Sequence, residues 1–96
     1  MTTSSFPLER HLSLVQGNGA RTEITIQIGQ PYWIQRDIEA ACPVAIKGLL
    51  DDIEDIRGID FVDAVSLAIK FVDVTLAGMR DSRRFLWPDG EDYFDT

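Results

Sequence analysis

Ninety-six residues, 45% hydrophobic and 26% charged, describe a chain sized for one domain with one core. Nine basic against sixteen acidic side chains leave a net charge of −7, which repels phosphate backbones and anionic membrane surfaces at long range and argues against nucleic acid as a partner. No apolar run approaches the roughly 18–20 residues that cross a bilayer, and Met1–Ser5 lacks the basic start and apolar stretch of a signal peptide, so the expected setting is the cytoplasm, away from membranes.

The chain opens with two expected strands, 6–16 and 21–28, around Gly17-Asn18-Gly19-Ala20. Ile24, Ile26 and Ile28 alternate with polar residues, and Leu8, Leu12 and Leu14 share one parity, the period of half-buried strands. Asn18-Gly19 invites a two-residue turn, yet that register would set leucines and isoleucines on opposite faces. A three-residue loop, Gly17-Asn18-Gly19, pairs Leu12 with Ile24 and Leu8 with Ile28 instead, with Gly19 at the left-handed position. Gly29-Gln30-Pro31 ends the second strand. A third strand is expected over 38–47, with Ile38, Ala40, Cys42, Val44 and Ile46 on one side; Pro43 lacks an N–H and places it at an edge or a bulge.

A connector over 49–59 leads to Asp60, a good N-cap, with Asp63 favourably placed in the first turn of a helix over 61–77 that ends at Gly78. Phe61, Val65, Ala68, Ile69, Val72 and Leu76 form the stripe expected to face the sheet. Leu67, Phe71 and Val74 form a second stripe that one sheet layer has no need to cover. Phe85-Leu86-Trp87 reads as a short last strand. The acidic, aromatic tail at 91–96 either stays loose, like residues 1–5, or docks through Tyr93 and Phe94. The expected fold is therefore a single α+β domain over 1–96. It has a mainly antiparallel sheet of three to four strands, one long helix on one face, and a short C-terminal strand.

Little in this chain has the form of a catalytic or metal centre. Cys42, the single cysteine, forms no internal disulfide and reads as a buried thiol in an apolar stretch. His11, the single histidine, falls on the outward parity of the first strand. Asp51, Asp52, Glu54 and Asp55 are the densest acidic run, but an EF-hand register puts Ile53 or Ile56 at a ligand position. The run then reads as a solvated turn with its isoleucines turned inward. Arg80, Arg83 and Arg84 lie just beyond the helix, where cations complement exposed carbonyls. No cofactor is expected.

Cys42-Pro43, Ile46-Lys47-Gly48-Leu49, Gly58-Ile59-Asp60 at a helix start and Leu86-Trp87 together resemble a family of small uncharacterised bacterial proteins. That family carries a Cys-Pro-x-x-Ile-x-Gly-Leu stretch and a Gly-x-Asp helix start, and the resemblance spans about residues 8–88. Phe61, Asp63 and Val65 stand where the family tends to have serine, glutamine and leucine. The resemblance implies a bacterial source and a strand-rich half before a long helix. It implies no activity and carries over no functional residue.

The expected function is non-catalytic protein–protein interaction of the immunity, antitoxin or adaptor type, in which an acidic surface meets a basic partner. The candidate interface is Leu67, Phe71 and Val74 with Asp51, Asp52, Glu54 and Asp55, and the expected assembly is a homodimer or a complex with a basic protein. The competing expectation is a small enzyme or ligand-binding subunit whose pocket forms between copies, gathering His11, Cys42, Tyr32 and Trp33. A deep pocket uniting two of those polar groups would favour it.

Overall fold

A computed structural model describes residues 7–50 and 52–94. The first two strands, β1 (Leu8–Val15) and β2 (Arg21–Ile28), form an antiparallel hairpin pairing Leu8 with Ile28 and Leu12 with Ile24. The loop is the three-residue one: the Gln16 N–H donates to the Ala20 carbonyl, the Gly19 N–H donates to the Gln16 carbonyl, and Gly19 has φ +87°. Burial of one face has overridden the local preference of Asn-Gly for a tighter turn. Leu12, Leu14, Ile24, Ile26 and Ile28 are buried. On the opposite face the pairs Glu9–Gln27, His11–Thr25 and Ser13–Glu23 stand directly across from each other and hydrogen-bond through their side chains.

The fold is α+β and antiparallel throughout, but its strands form two sheets rather than one. The segment expected as a single strand over 38–47 is cut at Pro43 into β4 (Glu39–Cys42) and β5 (Val44–Lys47). β5 pairs with β2 at the edge of a four-stranded sheet of order β5-β2-β1-β7. In the three-stranded sheet β3-β4-β6, β4 is the central strand. Proline donates no ladder bond, so the chain passes from one sheet to the other there; its carbonyl still accepts from the Gly29 N–H. Two short strands add to the expected set: β3 (Tyr32–Gln35) and β6 (Ile56–Gly58), the latter inside the connector. The last strand, β7 (Arg84–Leu86), begins one residue earlier than expected and pairs with the end of β1.

The helix α1 (Phe61–Ala77) has the expected bounds. Asp60 caps it, with its Oδ1 accepting from the Asp63 N–H at 2.8 Å, while Asp63 Oδ2 reaches back to the Ile59 N–H at 2.9 Å. Ala64, Ala68, Val72 and Leu76 are its buried stripe, and the helix packs on β6, β4 and, to a smaller extent, β2. Small residues on both sides, Ala64 and Ala68 on the helix and Ala40 on β4, share the core and let helix and sheet approach closely. One core joins both sheets and the helix. Among the described residues no helix is long and apolar enough to cross a membrane.

The tail docks over residues 91–94. The Tyr93 N–H donates to the Phe85 carbonyl, Leu86 bridges to Asp92, and Phe94 meets Phe85 edge to face. Residues 1–5 and 95–96, expected as loose ends, lie outside the described residues.

Candidate functional site

The helix periodicity determines which apolar side chains the core can take. With Ala64, Ala68, Val72 and Leu76 facing inward, residues displaced about 100° to either side stand at the margins. On one margin lie Leu67 and Val74, 39% and 63% exposed, with the half-buried Phe71 beside them. On the other lie Val62 and Ile69, 76% and 45% exposed. The first margin is the second stripe read from the sequence. The second is a correction: Ile69, expected to face the sheet, is largely uncovered, because α1 sits mainly over β4 and β6 and leaves a gap between this margin and β1 and β2.

The uncovered Ile69 borders a groove of about 410 Å³ between α1 and the start of the first hairpin. Leu8, Ile26, Ile28, Ile69 and Val72 line it, with Glu9, Arg10 and Asp73 as its charged residues. Sequence reasoning missed this groove. The available signal was length: eight-residue β1 and β2 extend beyond the width that a single helix covers.

Asp52 and Glu54 are exposed in the extended segment before β6, and Asp51 lies outside the described residues. Asp55 accepts a hydrogen bond from the Tyr32 hydroxyl, which pushes the Tyr32 phenol above its ordinary value. Ile53 and Ile56 turn inward against the core, as the solvated-turn reading expects. The acidic segment and the stripe of Leu67, Phe71 and Val74 stand on different elements, the first before β6 and the second on α1.

Of the residues expected for an inter-copy pocket, Tyr32 and Trp33 stand on β3 opposite Ala41 and Ala40 of β4, beside Cys42, while His11 lies on β1 in the other sheet. His11 is exposed against Thr25 and Glu9, and Trp33 stacks on Phe61 with ring centroids 4.7 Å apart. Cys42 is fully buried with its Sγ near the carbonyls of Gly29 and Pro43, and burial pushes its thiol up. None of these, nor Tyr32, lines the groove beside Ile69 or the concavity behind the helix end.

No curated protein and no solved structure matches this chain. A family model described as a domain of unknown function, DUF6968, matches residues 8–95, which takes in every strand and the helix. The chain belongs to the DUF6968 family.

Proposed function

We propose that this protein is a non-catalytic interaction protein that works as a symmetric pair of copies. The pair is joined through the α1 margin bearing Leu67, Phe71 and Val74. The acidic remainder of the surface then receives a basic protein in the manner of an immunity protein, antitoxin or adaptor, within a bacterial cytoplasm. The observation that carries the reading is the exposure of Leu67 and Val74, one above the other on a helix whose inner stripe is fully buried.

Contiguous apolar surface of this kind usually marks an interface. The chain as a whole is strongly acidic, but α1 carries Lys70 between Asp63 and Asp73, so a facing copy presents both signs rather than one. A two-fold axis, the commonest closed arrangement, lets the same residues meet themselves. The exposed carboxylates of Asp52 and Glu54, on the segment before β6, meet a partner of opposite charge, where complementary potentials raise association rates.

Paired substitution tests this. Leu67→Asp with Val74→Asp is expected to return the protein to a monomer in sedimentation that keeps its folded circular-dichroism spectrum, because neither side chain is in the core. A double variant that sediments as wild type would overturn the reading.

A further inference from the structure

Beyond the end of α1, the turn at 78–83, strand β7 and the docked tail enclose a concavity of about 290 Å³. Arg80, Arg83 and Arg84 line it, three of the nine basic side chains in the chain, and the half-buried Phe94 is its apolar rim, over the fully buried Phe85. Asp81 and Asp92 also contribute, which leaves a local excess of positive charge in a molecule whose total is −7.

The arginines are not needed to finish the helix. The Val74, Leu76 and Ala77 carbonyls already accept from the N–H groups of Gly78, Met79 and Arg80, and the Arg83 N–H donates to the Met79 carbonyl. The side chains are held in three different ways. Arg84 donates through Nε to Asp92 at 2.8 Å and, among the described residues, makes no other side-chain hydrogen bond. The half-buried Arg83 reaches the Met79 Sδ at 3.7 Å, a weak acceptor for a group with five donors. Arg80 lies over the Phe94 ring, 5.7 Å from its centroid. Among the described residues, neither Arg80 nor Arg83 has a carboxylate partner.

We propose that this concavity binds a small organic oxyanion, a carboxylate or phosphate carried on a flat apolar body. Guanidinium forks match the geometry of both groups and hold them through paired N–H bonds. Arg83 and Arg80 take the charged oxygens, the Arg84–Asp92 pair fixes the third guanidinium at the rim, and the body of the ligand lies along Phe94. The negative charge of the molecule as a whole opposes entry at long range, so binding depends on contact with these donors and weakens at low ionic strength, where screening is least.

Titration of the full chain with phenyl phosphate, benzoate and inorganic phosphate, followed by amide ¹H–¹⁵N shifts, tests this. Saturable shifts confined to residues 79–85 and 92–94 are expected with phenyl phosphate or benzoate, and the tighter of the two identifies the oxyanion. Inorganic phosphate, lacking the flat body, should bind more weakly; equal affinity for phenyl phosphate and inorganic phosphate overturns the part assigned to Phe94. Arg83→Gln should weaken binding about tenfold or more, the worth of a charge-assisted hydrogen bond, while Arg57→Gln, on a remote ion pair with Glu39, leaves it unchanged. Should Arg83→Gln lose its native spectrum, the exposed Arg80→Gln reads the same contrast. Shifts that fail to saturate or spread over the whole chain, or wild-type affinity in the folded arginine variants, overturn the proposal.

Discussion

A methyl group at Gly58 would stand 2.6 Å from the Ala64 nitrogen and 2.8 Å from its Cα, both backbone atoms that cannot turn aside. Only a glycine lets the end of β6 pass so close under the first turn of α1. Gly58→Ala should therefore cost about 1–3 kcal/mol, as overpacking does elsewhere, and lower the melting temperature measurably; an unchanged value would contradict the close approach. Cys42 can be tested by its chemistry. Burial favours its neutral form, so its folded value lies above the ordinary thiol value of about 8.5. The stability linked to that shift is present below the ordinary value and is lost as pH rises through the raised one. At neutral pH a thiol reagent should label the native protein only as fast as it opens, and rapid labelling would contradict burial. Burial of Cys42 was legible in the sequence, because it shares parity with Ala40, Val44 and Ile46. The arginine-lined concavity was not, because Phe94 joins it only through the fold of the tail.

Among the elements, the hairpin and the helix were readable because each buries one face at a fixed period. Strand pairing followed from asking which register gathers the leucines and isoleucines, and Asp60 announced its helix. The division at Pro43 was hidden by the same logic: Ala40, Cys42, Val44 and Ile46 keep one parity and enter one core, so their alternation persists although the chain has changed sheets. β3 and β6 are four and three residues long, too short for a period to show. The helix pattern gave the apolar arc of α1 but not the width of sheet beneath it, and hence misplaced Ile69. Two substitutions on this one helix separate those facts. Val72→Ala removes buried methyl groups and should cost about 2 kcal/mol, whereas Ile69→Ala, nearly half exposed, should cost about 1 kcal/mol or less. Equal losses in chemical denaturation would mean that the groove beside Ile69 is closed.

The molecule as a whole is 22 Å across in its thinnest direction, about the depth of two packed layers when layers lie roughly 10 Å apart. A third layer over the outer margin of α1 would have to come from outside the described chain, which is why Leu67 and Val74 stand open. The surplus of apolar helix surface over sheet was legible in the sequence. The partner was not, since a net charge of −7 serves solubility and recognition alike. Repulsion between acidic copies opposes pairing, but at physiological salt it is screened beyond about 8 Å, while burial of apolar area contributes about 25 cal/mol per Å². The most direct test is light scattering of the 10.8 kDa chain across the micromolar range. A mass rising with concentration toward twice the monomer is the predicted result, and a mass fixed at 10.8 kDa throughout would contradict the paired assembly.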